Sequence, residues 1–268
     1  MRYSVLGLCV LVATTAVALT PPPYERVLVP LSVADAPGAN GSLWTTEFSI
    51  VNGATVGGSL SPRPCIAGTG PLPCLETILL PPNRTVRVPP FGTPEAPGVL
   101  FLVSAWTAPV TSFTLHVRDL SRQGESWGAE VPVVRERDFF TGMVNMTSIP
   151  FGADYRQTLR VYALLDNGGS ARFRVKLYAV EAAEDRLLRE EVITLDPPPP
   201  PPPNRLATPL AQTTITALFA GGAAGATRVR VSIEPVTDPL ALAQPHRYWA
   251  FVSVTNNVTQ QVTTITPR

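Results

Sequence analysis

One short segment has the residue pattern of a serine-hydrolase nucleophile. Residues 124–128 read GESWG, which fits the G-x-S-x-G elbow, a strained turn that follows a strand and precedes a helix. Residues 129–133 instead alternate like a further strand. Since loops between strands use Gly and Ser for their turn conformations, we interpret the segment as a hairpin loop. We predict no catalytic residue in it.

The residues that commonly bind metals are sparse and separated. His116 alternates with apolar residues in a strand pattern, and His246 lies in a loop, so the two histidines have no zinc-type spacing. Loop oxygens at 166–167 or 256–257 could hold calcium, but no D-x-D-x-D-G pattern is present. We therefore predict no metal and no cofactor. The paired carboxylates of a glycoside hydrolase have no sequence signature, and a hydrolase with an unrecognised site stays open.

Two sets of side chains are candidate ligand contacts. The first is a basic patch that two neighbouring strands would form with outward-facing cations, and Arg160 is a further candidate for it. Such a patch would bind acidic groups; the alternative is a solvated sheet face neutralised by nearby glutamates. The predicted members of the patch are Arg172, Arg174, Lys176, Arg228 and Arg230.

The second set is the tryptophans, whose rings can stack on sugars. Trp44, Trp106 and Trp249 lie in strand patterns, where core packing is the commoner role. Trp127 lies in a loop and is the tryptophan that we predict as a ligand contact.

The amino terminus has the features of a secretory signal peptide. Residues 1–4 are short and cationic, 5–17 are apolar, and 16–18 read AVA, which predicts cleavage before Leu19. Because no later apolar stretch approaches the roughly 20 residues of a membrane span, we expect no transmembrane anchor. The expected location is periplasmic or secreted.

Export makes a disulfide the expected state of the mature cysteines. Cys9 lies in the signal peptide, whereas Cys65 and Cys74 form an even pair around a loop rich in Gly and Pro. A structural disulfide is expected in an oxidising compartment, and redox catalysis would favour C-x-x-C spacing.

Composition and periodicity indicate an all-β chain. Apolar residues make up 45% of the sequence, which also has 30 prolines and 19 glycines, too many for long helices. Short alternating segments recur throughout; in 172–179, for example, Phe173, Val175, Leu177 and Ala179 would share one face. The net charge of +1 supplies no field to attract nucleic acid.

The two halves of the chain have similar patterns in the same order. Residues 44–54 and 156–168 each predict a strand that runs into a turn, and each half closes with two apolar strands. We predict a signal peptide at 1–18, a Pro-rich spacer at 19–23 and β-sandwich domains at 24–133 and 134–268. The polyproline segment 197–203 is a stiff strut of about 20 Å, interpreted as a loop in the second domain; a linker or a docking motif are the alternatives.

At the level of architecture the chain resembles uncharacterised secreted bacterial proteins with tandem immunoglobulin-like or fibronectin-like sandwiches. The segments that carry the resemblance are 43–53, the LPPNR connection at 80–84, and 248–257. It implies two antiparallel sandwiches and transfers no functional residue, because a shared sandwich does not imply a shared function.

These observations favour binding over catalysis. The leading hypothesis is an exported structural, adhesive or protein-interaction module that is not an enzyme and that contacts a cell-surface protein or polysaccharide. A carbohydrate-binding protein is the alternative.

Overall fold

The computed structural model describes residues 24–62, 78–90, 92, 97–122, 128–166, 168–181, 184–198, 210–221, 225–236 and 246–267. Several predicted features lie outside these residues: the signal peptide, the Pro-rich spacer, Cys65, Cys74, Trp127 and most of the polyproline segment. The disulfide and the ligand contact of Trp127 stay predictions.

The described residues form strands and short turns, which confirms the all-β prediction. The helical segments among them are three-residue 3-10 turns at Ala39–Gly41, Ala108–Val110, Glu136–Asp138 and Ala217–Phe219. Within the part of the chain that is described, no helix is long and apolar enough to span a membrane. The strands of the first half are β1 Tyr24–Val29, β2 Ala36–Pro37, β3 Leu43–Asn52, β4 Gly58–Pro62, β5 Ile78–Leu80, β6 Arg84–Val88, β7 Val99–Ser104, β8 Thr111–Asp119, β9 Ala129–Glu130 and β10 Val134–Arg135. Those of the second half are β11 Val144–Pro150, β12 Tyr155–Leu164, β13 Ala171–Ala179, β14 Arg186–Leu195, β15 Leu210–Ile215, β16 Arg228–Pro235, β17 Arg247–Asn256 and β18 Val262–Ile265.

The strands form four antiparallel sheets, two in each half. In the first half, sheet A has the order β10-β1-β7-β4-β5, and sheet B has the order β2-β3-β8-β9 with β6 also paired to β3. In the second half, sheet C has the order β15-β12-β17-β18, and sheet D has the order β11-β16-β13-β14. The strand β10 pairs with β1, so Val134 and Arg135 belong to a sheet of the first half.

The two halves repeat one strand order. To compare the halves, we number the strands of each half from 1 to 8 in chain order and leave out β2 and β10. One sheet of each half then has the order 1-6-3-4 (β1-β7-β4-β5, β11-β16-β13-β14), and the other has the order 5-2-7-8 (β6-β3-β8-β9, β15-β12-β17-β18). This order differs from the immunoglobulin order that the resemblance implies. Strands two and seven lie in opposite sheets of an immunoglobulin domain, whereas here they are neighbours, β3 beside β8 and β12 beside β17. Apolar alternation predicts which residues face inward, and it does not specify which strands pair.

The four sheets stack as layers in the order B, A, C, D. Sheets B and A share a core in which the rings of Phe48 and Phe101 lie 5.7 Å apart. Sheets C and D share a second core, with the rings of Phe173 and Tyr248 4.7 Å apart. Sheets A and C pack together between these cores, because the first core also contains Tyr162 of sheet C.

Strands in the two central layers are buried on both faces. In β17, Tyr248, Ala250 and Val252 belong to the core shared with sheet D, whereas Trp249 and Phe251 belong to the core shared with sheet A. Because successive side chains of a strand point to opposite faces, a run of consecutive apolar residues is expected where a sheet has a neighbour on each side.

Candidate functional site

One face of β12 connects three chemically different zones between the two halves. Alternate residues of this strand face sheet A, and from one end they read Arg156, Thr158, Arg160, Tyr162 and Leu164. Asp166 follows just beyond the strand. The first three residues line an open cleft, the next two belong to an apolar seam, and Asp166 belongs to an ion-pair cluster.

The apolar seam holds sheets A and C together. Tyr162, Trp249 and Phe251 pack against each other in sheet C, with ring centroids 5.3 to 6.5 Å apart. The Tyr162 hydroxyl donates a 2.6 Å hydrogen bond to the Pro30 carbonyl. Gly98 permits this close approach, since a Cβ there would lie 2.5 Å from the Tyr162 ring. Burial raises the pKa of Tyr162 well above its ordinary value, so this phenol stays protonated.

The ion-pair cluster closes one end of the seam. Arg26 of β1 binds both Glu136 and Asp166, and Arg247 of β17 binds the same two carboxylates at 2.6 and 3.0 Å. Burial alone would raise the pKa of Glu136, but the hydrogen bonds and charges of Arg26 and Arg247 together outweigh it and hold the pKa below its ordinary value. The same arginines lower the pKa of Asp166. The cluster therefore joins the halves through charge-assisted hydrogen bonds.

A cleft of about 570 Å³ lies at the other end of the seam. The first half supplies an apolar wall from the segment that follows β1, including Leu31, Val33 and Pro37. Thr46 of β3 fixes this wall, because its hydroxyl bonds both the amide and the carbonyl of Val33 at 3.0 and 3.1 Å. Trp44 also lines the cleft.

The turn beneath Trp44 requires a glycine. The edge of the Trp44 indole lies against Gly38, where an added Cβ would come within 2.3 Å of Nε1. Any larger residue at position 38 would displace the indole, so this glycine sets where the ring sits on the cleft wall.

The second half supplies the polar wall of the cleft. Hydroxyl side chains line it from β12 and β17, namely Thr158, Ser253 and Thr255. Arg156 and Arg160 lie on the same wall. Their hydrogen-bond partners are neutral: Arg156 donates to Oε1 of Gln260, and Arg160 donates to Oγ1 of Thr214. Within the described residues neither arginine forms an ion pair.

This lining suits binding better than proton transfer. The described residues of the wall include hydroxyl, indole, guanidinium and aliphatic groups and no carboxylate or imidazole. Arginine stays protonated and serves as a donor only. The described part of the chain also has no cluster of three His, Cys, Asp or Glu side chains suited to a metal ion.

The structure brings the predicted basic residues onto one face of sheet D, where acidic side chains surround them. The strands β13 and β16 are neighbours, as the patch requires. Arg174 contacts both Glu190 and Glu234, at 3.1 and 2.8 Å, and Lys176 shares Glu234. These ion pairs neutralise the cations at the centre of the face.

The other three members of the predicted patch differ in their pairing. Arg230 pairs with Asp185 at 2.6 Å and lies over the ring of Tyr178. Arg172 and Arg228 are exposed and lie at opposite ends of the face. Arg160 is not part of this surface, because it projects from sheet C toward the first half.

The tryptophans differ in a way that strand patterns do not predict. Trp249 is 4% exposed in the seam, as expected of a core residue. Trp106, expected in the core, is 88% exposed; β7 ends at Ser104, and the tryptophan lies in the following turn. Trp44 is half-buried at the cleft.

Neither histidine lines the cleft, and neither does Gly128 of the serine-hydrolase pattern. Val117, which follows His116 and lies against Gly128, is part of the cleft wall. His116 lies on the outer face of sheet B opposite Glu47 and Glu130. Of the GESWG segment, Gly128 is described: it has a φ of +70° and directly precedes β9. A strand thus follows the segment, in agreement with a hairpin loop; Ser126 lies outside the described residues.

Sequence reasoning missed Arg156 as a site residue. The signal was available, because Arg156, Thr158 and Arg160 alternate with residues that face the core of the second half. The sequence does not show which residues form the opposite wall; in the structure they are residues of the segment 31–44 together with Pro97 and Val117.

Comparison of the chain with protein-family models, curated proteins and solved structures gives no match. The geometry of the cleft is therefore the basis for the functional argument.

Proposed function

We propose that this protein is an exported, non-enzymatic binding module that holds its ligand in the cleft between its two halves. The observation that carries the proposal is the composition of the cleft. Hydroxyl groups and two arginines without carboxylate partners face an apolar wall with an indole. Concave sites of this kind, apolar with a few convergent polar groups, are typical of ligand binding.

The stacking of the sheets supports a preformed site. The seam and the ion-pair cluster fix sheet C against sheet A beside the cleft. Both walls are then in place before the ligand arrives, which reduces the ordering cost of binding. An adhesive role at the cell exterior is consistent with the cleft and with the predicted signal peptide.

The proposal is tested by filling the cleft. The variant Ser253→Trp adds an indole to the polar wall, and Ser112→Trp adds the same group to the exposed face of β8, the equivalent strand of the first half. Mature protein is screened on an array of neutral and acidic polysaccharides and on immobilised bacterial envelope fractions. We expect at least one probe to bind the wild type and Ser112→Trp, and to lose at least tenfold in affinity for Ser253→Trp.

The result that overturns the proposal is a panel on which no probe binds, or on which both tryptophan variants bind alike. Circular dichroism and melting temperature of each variant establish that it is folded. The expected export is measured separately, by amino-terminal sequencing of the periplasmic and released protein, which should begin at Leu19.

A further inference from the structure

The two arginines of the cleft differ in pairing from the other partly buried arginines near it. Arg26 and Arg247 share Glu136 and Asp166, and Arg118 of β8 pairs with Glu47. Arg156 and Arg160 have only amide and hydroxyl partners. In Arg156 and Arg160, as in Arg118, the Nε–H is buried without a hydrogen-bond partner among the described residues. The lack of a carboxylate partner is therefore what distinguishes the two cleft arginines. A half-buried guanidinium that has no carboxylate partner and an unused donor favours an oxyanion as an additional acceptor.

From these donors we infer that the ligand is an acidic polysaccharide, an extended chain whose repeated carboxylate or sulfate groups bind Arg156 and Arg160. The inference rests on the proposed function of the cleft. Guanidinium groups bind oxyanions of this geometry through paired N–H donors.

The spacing of the arginines favours an extended chain over a single small anion. The two residues are four apart on one strand, about 13 Å at 3.3 Å per residue. Their side chains also diverge. Arg156 reaches Gln260, beside β18, and Arg160 reaches Thr214 of β15, and these two strands form opposite edges of sheet C. A ligand that meets both guanidinium groups therefore needs two separate acidic groups.

The rest of the lining favours a saccharide over an acidic peptide. An extended peptide binds most readily by pairing with a free sheet edge, but β12 and β17 are interior strands with a neighbour on each side. Two edge strands lie near the cleft. The strand β2 has two residues, one of them Pro37, which has no amide donor. The strand β18 contributes Val262 to the cleft and lies against β9, where Thr264 donates to the Glu130 carbonyl. In contrast, Thr158, Ser253 and the Trp44 ring offer the hydrogen bonds and the stacking surface that sugars use.

The test measures the binding of mature protein to four probes by isothermal titration calorimetry in 50 mM NaCl. The probes are polygalacturonate for carboxylates, dextran sulfate for sulfates, dextran as the neutral chain and polyglutamate as the acidic peptide. We expect binding to polygalacturonate, dextran sulfate or both, and the stronger of the two identifies the acidic group. We expect no binding to dextran and at least tenfold weaker binding to polyglutamate.

Paired variants assign this affinity to the cleft. Arg156→Gln and Arg160→Gln should each weaken binding about tenfold, and the double variant about a hundredfold, because each removes one oxyanion contact. The matched control is Arg172→Gln with Arg228→Gln, which makes the same change in net charge on the exposed face of sheet D. That control should bind within twofold of the wild type. If the double cleft variant fails to fold, Arg156→Lys with Arg160→Lys replaces it, with an expected loss of at least fivefold.

Different results overturn the two levels of the proposal. The acidic ligand is refuted if the protein binds a neutral chain, the arginine variants still bind it and Ser253→Trp does not. The proposal that the cleft is the binding site would then still hold. Polyglutamate bound as tightly as the acidic polysaccharides refutes the saccharide. Equal losses of affinity in the cleft and control variants would show that binding depends on the net charge of the protein and not on the cleft. No binding of any probe by the wild type refutes both the ligand class and the cleft.

Discussion

Each central sheet has the same strand order as one outer sheet: sheet A matches sheet D, and sheet C matches sheet B. The faces that point away from the core of each half differ, because they are apolar in the central sheets and polar in the outer sheets. In sheet A, β7 directs Leu100 toward the second half, because its neighbour Phe101 packs on sheet B. In sheet D, the equivalent strand β16 directs Arg230 to the surface, where it pairs with Asp185. Likewise β17 presents Trp249 and Phe251 to sheet A, whereas its counterpart β8 has the exposed Thr114 and the half-buried His116 on its outer face.

This difference shows that strand order does not decide which sheets stack. The contact between halves joins unlike sheets, a 1-6-3-4 sheet against a 5-2-7-8 sheet, and such a head-to-tail contact can in principle repeat. Polar residues on the two outer faces end the stack in this chain, as polar terminal units do in repeat proteins.

The largest expected effect comes from truncating the seam. Trp249→Ala should lower the free energy of unfolding by about 3–5 kcal/mol, since it removes a buried aromatic side chain between two sheets. Trp106→Ala removes the same group from an 88% exposed position and should change it by less than about 0.5 kcal/mol. Urea unfolding of both variants checks the pair; equal costs would mean that the seam contributes no more than the surface.

A smaller effect is expected from acid, through the ion-pair cluster. Glu136 and Asp166 have pKa values below the ordinary values of 4.5 and 3.8. The stability that they contribute is therefore present above the ordinary pKa values and is lost as the pH falls through the lowered ones. Denaturation measured from pH 6 to pH 2 should show stability falling below about pH 4.5.

The variant Glu136→Gln isolates this contribution. Stability should be lower at pH 6 and should depend less on pH below 4.5, because one of the linked carboxylates no longer titrates. An unchanged slope would show that the acid sensitivity arises elsewhere in the protein.

The smallest change in stability is expected on the outer face of sheet D. Arg174→Leu with Lys176→Leu makes this face resemble the buried face of sheet A, and the free energy of unfolding should change little, as for exposed ion pairs. Self-association should increase, because an exposed apolar sheet face favours a further contact. Light scattering after size exclusion measures it, with Arg174→Lys and Lys176→Arg as the control. A variant that stays monomeric at high concentration would show that the polar side chains of this face are not what prevents a further sheet from stacking on it.

Much of the fold could be predicted from alternation alone. In β13 the residues Phe173, Val175 and Leu177 are buried, as their period of two requires. Other strands lack this alternation for local reasons. The sequence of β4, GSLSP, has a composition typical of turns, and β11 contains a bulge after Met146 that interrupts its alternation.

The cleft could be predicted only in part, because its two walls come from residues more than a hundred positions apart. The run of apolar residues at Tyr248–Val252 does indicate a strand buried on both faces. It does not identify the neighbouring sheet. The compensation of Arg174 by Glu190 and Glu234 likewise depends on the pairing of three strands, so a count of cations along β13 overstates its charge.

The position of β1 has a consequence for the timing of folding. This first strand pairs with β10, and its Arg26 also binds Glu136 and Asp166. The amino-terminal strand therefore waits until residues about 110 and 140 positions later have emerged before its contacts are complete. Pairing at such separations slows folding, which keeps a nascent chain extended for longer. The export that we predict from residues 1–18 requires an unfolded chain, and this delay would favour it.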